Sequence, residues 1–145
     1  MIFPYCAEYN THVPCYVVKK GTYKNHLYVI YSNYGYSPTA YVFANENDWW
    51  IDVDYDDLNR KYSKGRKPHG GFTFGSFAAN RFFGLPNPDE ESFVLGWDYS
   101  HMGDYQSDSL SGIRMTIHGR NDKKWTIEEI ESDCIKVIDT LEFEA

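Results

Sequence analysis

Apolar and polar positions change over in short runs through the first two thirds of the chain. Residues 15–19 (CYVVK) form a β-rich run, residues 26–31 (HLYVIY) a stronger one, and residues 39–43 (TAYVF) a third. Asn33-Tyr34-Gly35-Tyr36 and Pro38 punctuate the chain between the second and third runs. The connectors are too short for helical crossovers, so the pattern predicts an antiparallel meander. Residues 54–62 predict a short helix behind an Asp cap. Residues 63–68 (SKGRKP) read as an exposed basic loop, and residues 72–74 start a further strand. A loop over residues 84–91 (GLPNPDEE) leads to a buried strand at residues 93–97 (FVLGW), where Gly96 marks a bulge or close packing. Residues 99–112 are rich in Ser, Asp and Gly and read as loop. Residues 113–117 (IRMTI) alternate as a half-buried strand does, and residues 119–124 (GRNDKK) make a turn.

The period then changes from two to 3.6. Thr126-Ile127-Glu128-Glu129 is a capping box, with Trp125 and Ile130 at the staple positions. Ile127, Ile130, Cys134, Val137, Ile138 and Leu141 repeat at helical spacing, while Glu128, Glu131 and Lys136 fall on other faces. The acidic polar face does not suit a membrane surface. The stripe therefore packs on the strands. The fold class expected is α+β: an antiparallel sheet with a C-terminal helix packed on one face, over residues 1–145 as a single domain.

Composition narrows the function classes. The chain has 145 residues, and no apolar run approaches the roughly 20 needed to cross a bilayer. Its start lacks a basic segment followed by an apolar one, so no signal peptide is expected and a cytosolic protein is the default expectation. The formal charge of −7 disfavours direct binding of nucleic acid, which needs a basic surface. An acidic surface can instead imitate nucleic acid and occupy a basic groove on another protein. Cys6, Cys15 and Cys134 lie far apart, are odd in number and have no CxxC spacing, so neither a disulfide framework nor a thiolate metal site is expected. The thirteen Tyr, nine Phe and four Trp supply core and β-propensity, and leave tyrosines over for an interface or a polar pocket.

The candidate chemistry lies between His69 and Asp104. His69-Gly70-Gly71 follows a rigid Pro68, and Asp98-Tyr99-Ser100-His101-Met102-Gly103-Asp104 leaves the buried strand at residues 93–97. His69, His101, Asp98 and Asp104 are the candidate catalytic residues. As general acid and base, the two histidines would be oriented by the aspartates. Alternatively, the same imidazoles and carboxylates would ligate a divalent metal such as zinc, manganese or iron. Gly70, Gly71, Tyr99 and Tyr105 are the candidate ligand-binding residues, the glycines by letting a ligand approach backbone amides. No P-loop is present. The bland alternative makes both aspartates turn residues and both histidines partners of buried polar groups. His12, His26 and His118 are isolated in the sequence and read as structural or surface residues. Arg66, Lys67 and Arg81 are the basic residues nearest His69, able to draw in a phosphate if the fold turns them inward.

HGGFTFG followed by GWDYSHMGDY resembles a group of small hypothetical proteins of bacteriophages and prophages, whose pattern runs HGGxTxxG and then G[FW]DxxHxGD. Tyr55-Asp56-Asp57-Leu58, GYSPTAYV and the ending WTIEEIESDCIKVIDTL are similar to that group too. Members often carry Cys-Ala where Tyr99-Ser100 stands here, the missing Cys argues against a thiol mechanism, and the loop over residues 81–91 is particular to this chain. The resemblance implies a phage accessory protein that blunts a bacterial defence. The expected function is binding, with or without hydrolysis, of a nucleotide-like or phosphorylated small molecule at the His/Asp pocket. The alternative is an acidic, tyrosine-rich inhibitor of a host nuclease or other defence protein, with the His/Asp cluster structural. A homo-oligomer is an accessory expectation, because shared interfaces enlarge small pockets.

Overall fold

The computed structural model describes residues 2–3, 15–33, 38–99 and 123–143, with side chains for 17–32, 38–99 and 123–143. Among the described residues six strands make one sheet: β1 (Ile2–Phe3), β2 (Cys15–Tyr23), β3 (His26–Asn33), β4 (Pro38–Phe43), β5 (Phe74–Ala79) and β6 (Glu91–Asp98). The described residues also form the α-helices α1 (Tyr55–Lys61) and α2 (Ile127–Phe143). The fold is α+β, with α2 packed on one face of an antiparallel sheet, as the change of period predicts. Loop, strand and turn expectations for residues 100–122 lie outside the described residues.

The strand order is β1-β2-β3-β4-β6-β5, every neighbouring pair antiparallel. β2, β3 and β4 form the expected meander. Lys24 and Asn25, both at positive φ, make the two-residue turn between β2 and β3. The meander stops at β4. The chain passes through residues 44–73, including α1, to the far edge of the sheet, lays down β5, and returns as β6 between β5 and β4. Antiparallel pairing of β6 with both neighbours makes β4 and β5 parallel, and parallel strands need a long connection. The meander expected from the first three strand runs ends at β4, and the crossover that follows is not anticipated from the sequence.

Alternation along the strands splits the apolar residues between two faces. Tyr28, Ile30, Ala40, Val42, Phe93, Leu95 and Trp97 face α1 and α2. Val29, Tyr31, Tyr41, Phe43 and Val94 gather around Phe83 on the other face. Phe83 stands in the 3₁₀ turn Asn80–Phe83, with its ring centroid 5.0 Å from that of Phe43 and 5.1 Å from that of Tyr41. Gly96 is close packing, with no bulge: its register with Tyr41 is continuous, and an added Cβ would meet the Tyr41 ring at 2.8 Å.

Two caps set the helices. The Asp54 side chain accepts from the Asp56 amide at 2.9 Å and starts α1. For α2 the capping box forms both ways: the Glu129 amide donates to Thr126 Oγ1 at 3.1 Å, and the Thr126 amide to Glu129 Oε1 at 3.0 Å. Ile130, Cys134, Val137, Ile138 and Leu141 are all buried, which places the predicted stripe in the core. No helix among the described residues is long and apolar enough to cross a membrane.

Candidate functional site

His69 stands in a turn between α1 and β5. Gly70 and Gly71 take φ of 71° and 82°, a region that L side chains rarely adopt. The Gly71 amide donates to the Pro68 carbonyl at 2.9 Å. Asn59 of α1 grips the next residue twice: its Oδ1 accepts from the Phe72 amide and its Nδ2 donates to the Phe72 carbonyl, each at 2.8 Å. A Cβ on Gly71 would also meet Asn59 Oδ1 at 3.0 Å. These glycines shape the turn, and the Gly71 amide is spent inside it.

The turn presents His69 to an aromatic group at the end of the sheet. The imidazole stacks on Tyr99, with centroids 5.3 Å apart and planes at 12°, and lies 4.6 Å from the Trp125 ring at 45°. Tyr99 and Trp125 are 5.0 Å apart. Tyr99 is fully buried, whereas His69 and Trp125 are half-buried. The Lys123 ammonium sits 4.1 Å from the Trp125 ring centroid and pairs with Glu129 at 2.7 Å.

A hydrogen-bonded chain fixes this group to α2. Trp97 Nε1 donates to Tyr99 Oη at 2.9 Å, and Tyr99 Oη donates to Asp133 Oδ2 at 2.7 Å. The His69 backbone amide reaches the same Oδ2 at 3.3 Å, and Lys136 Nζ lies 3.3 Å from Oδ1. Burial, followed by the Asp133 charge, holds the Tyr99 phenol far above its ordinary value. The proton therefore stays on Tyr99 and keeps the chain directional. Asp133 was not among the residues singled out from the sequence. It stands three residues after Ile130 and four before Val137, on the seam of the apolar stripe, and a carboxylate in that position signals a buried polar partner.

The other sequence candidates divide. Trp97 and Tyr99 both join the core under the helices, so Asp98 between them belongs to the opposite face of the sheet. The structure thus brings His69 and Tyr99 together and sets Asp98 apart from them. His101, Asp104 and Tyr105 lie outside the described residues, as do His12 and His118. Arg66 is engaged away from His69, over the rings of Tyr62 and Phe143 at 5.1 and 5.5 Å. Lys67 Nζ donates to the Asn59 carbonyl at 3.0 Å, and Arg81 pairs with Asp89. Cys134 is a buried thiol, its pKa pushed up by burial and the nearby Asp133.

Of the described residues, His26, Asp48 and Glu142 form a group able to hold a metal, their ligand atoms within 4.8 Å of one another. Sequence reading treats His26 as isolated; the fold brings it to acids 22 and 116 residues away. Glu142 stands nine residues after Asp133, so this group lies about 13 Å further along α2 than the aromatic one. Comparison of the chain with family models, with curated proteins and with solved structures returns no match.

Proposed function

We propose that the protein is a phage accessory protein of the anti-defence kind, and that it binds a nucleotide-like, phosphorylated small molecule at the surface made by His69 and Trp125. The observation that supports this is the His69–Tyr99–Trp125 cluster with the Lys123 ammonium at its margin. Half-buried aromatic rings offer a stacking face to a base, and an ammonium beside them suits a phosphate. Binding is favoured over hydrolysis. Asp133 is occupied by Tyr99, the His69 amide and Lys136, and the carboxylate contact described for His69 runs through its backbone. The phage assignment rests on the resemblance of HGGFTFG and GWDYSHMGDY.

The test uses adenosine triphosphate and a cyclic dinucleotide as probes. Binding is followed by calorimetry and tryptophan fluorescence, and phosphate release is measured in the same samples. The wild-type chain binds one probe and quenches Trp125 fluorescence. His69→Ala, at a half-buried position, weakens binding roughly tenfold or more, in line with the loss of a base–aromatic contact. Absence of binding, or unchanged affinity in a folded His69→Ala protein, overturns the reading. Phosphate release that is lost in His69→Ala would convert binding into hydrolysis.

A second reading is favoured by one stretch. Glu46, Asp48, Asp52, Asp54, Asp56 and Asp57 follow one another with no Lys or Arg between residues 25 and 59, and Trp49 is exposed among them. Such a surface suits the basic groove of a nuclease. Under that reading, inhibition of the nuclease is relieved by Glu46→Lys with Asp56→Lys and weakens steeply with salt.

A further inference from the structure

The C-terminal end of α2 carries the wrong charge for a helix. Its last carbonyls are partially negative and favour cations, yet its last turn has no basic residue. Asp139 and Glu142 stand there instead. Lys24 answers Asp139 at 2.7 Å. Glu142 faces His26, with its Oε1 3.5 Å from Nδ1.

His26 is 2% exposed. Its Nδ1 lies 3.0 Å from the Lys24 carbonyl oxygen, which can only accept, so Nδ1 carries a hydrogen. Its Nε2 lies 2.7 Å from Asp48 Oδ2. A bare Nε2 would set its lone pair against a carboxylate lone pair at that distance. Something positive must stand between them, either a proton or a metal ion that both atoms share.

We propose that His26, Asp48 and Glu142 form a binding site for a divalent cation of the zinc class. Metal-ligating imidazoles commonly donate their second nitrogen to a carbonyl, which fixes ring and tautomer as the Lys24 carbonyl does here. One imidazole and two carboxylates suit zinc, manganese or ferrous iron, whereas calcium and magnesium prefer oxygen ligands alone. Zinc bonds of about 2.0–2.2 Å set tetrahedral ligand atoms about 3.3–3.6 Å apart. To hold the ion, Nε2 and Asp48 Oδ2 would open from 2.7 Å to that spacing, and Glu142, whose Oε1 now lies 3.5 Å from Nδ1, would swing towards Nε2 within the 4.8 Å that encloses the three ligand atoms. Three protein ligands leave a fourth position for water.

Two features outside the triad favour a cation. The acids at residues 46–57 make a local negative field that concentrates cations. The Asn45 amide donates to Asp48 Oδ2 at 2.6 Å, and Asn45 Nδ2 to the Asn25 carbonyl at 2.9 Å. The carboxylate and the histidine-bearing turn are therefore held together before any ion arrives. A bound ion clamps the β2–β3 turn, the start of the crossover and the end of α2. A proton shared between Nε2 and Asp48 Oδ2 is released as the Nε2–metal bond forms.

The experiment strips the full chain of metal with a chelator and then adds zinc chloride and cobalt chloride. Calorimetry, the visible absorption of cobalt and thermal melting are the readouts, none of which depends on the ligand proposed at His69. The expected result is one ion per chain, a cobalt spectrum with imidazole and oxygen ligands, and a melting temperature raised by several degrees. Glu142→Gln, at a half-buried helix end, should stay folded and lose roughly tenfold or more in affinity; Asp48→Asn should do the same. Failure of zinc and cobalt to bind or to shift melting overturns the proposal and leaves a proton-bridged ion pair. Affinity unchanged in folded Glu142→Gln also overturns it, because the ion then lies elsewhere. Should Asp48→Asn unfold, Glu142→Gln alone decides.

Discussion

The Tyr99 hydroxyl takes the Trp97 indole N–H on one side and gives its own proton to Asp133 on the other. Removing that one oxygen leaves a buried donor and a largely buried carboxylate short of a partner. Tyr99→Phe should therefore cost about 1–3 kcal/mol, read as a lower urea midpoint at unchanged slope. A second tyrosine adds a signature in alkali. Burial, with the hydrogen bond and charge of Glu131 behind it, pushes Tyr28 up to about 12 from its ordinary 10.0. A raised folded value means that the unfolded chain gives up this proton first. The contribution is whole below about pH 10 and is lost as pH rises towards 12, and Tyr99 acts in the same direction. Urea midpoints at pH 9, 10.5 and 11.5 should fall in that order, with phenolate absorbance from Tyr99 appearing only on unfolding. At this scale His69 and Tyr99 were legible as chemical types. Asp133, Asp48 and Glu142 were not, because each gains its meaning from a partner on a distant element.

Among the elements, α2 was the most legible, because its signals are local. Cap, staple and stripe all fall between Trp125 and Leu141 and need no knowledge of the sheet. Thr126→Ala should cost about 1 kcal/mol, since the Glu129 amide loses its acceptor; chemical denaturation measures it. The crossover at residues 44–73 was illegible for the opposite reason. β5 and β6 read as neighbouring strands in sequence, and nothing local says that β6 enters between β4 and β5. The polar face of α2 sets its response to acid. Glu129 is held below the ordinary glutamate range by Lys123 and the Thr126 amide, Glu131 by Tyr28 and Lys19, and Asp139 by Lys24 and Tyr23. Depressed folded values mean that the unfolded chain binds these protons first. The stabilisation is present above about pH 4.5 and is lost as pH falls below it. Urea midpoints at pH 6, 4.5 and 3.5 should decline. Glu131→Gln should flatten that decline, as it removes one titrating group while keeping an acceptor for the Tyr28 hydroxyl.

For the whole molecule, the late return of β6 and α2 makes the chain depend on its C-terminal end. β6 lies between β4 and β5, and its Leu95 and Trp97 are covered by a helix that follows later in the sequence. The buried side chains Ile130, Cys134, Val137, Ile138 and Leu141 come from α2 alone. At about 2 kcal/mol for each large apolar side chain buried, they supply on the order of 10 kcal/mol, which matches the roughly 5–15 kcal/mol by which a domain of this size is stable at all. The sheet left without α2 would also expose Ile30, Val42, Leu95 and Trp97 on one face. Ending the chain at residue 122 should therefore abolish cooperative unfolding and not simply lower its midpoint. The truncated chain should bind the dye ANS, keep part of its far-ultraviolet dichroism and lose its near-ultraviolet tryptophan signal. A shortened chain that melts in one sharp transition and leaves the dye dark would show that the sheet stands without the helix.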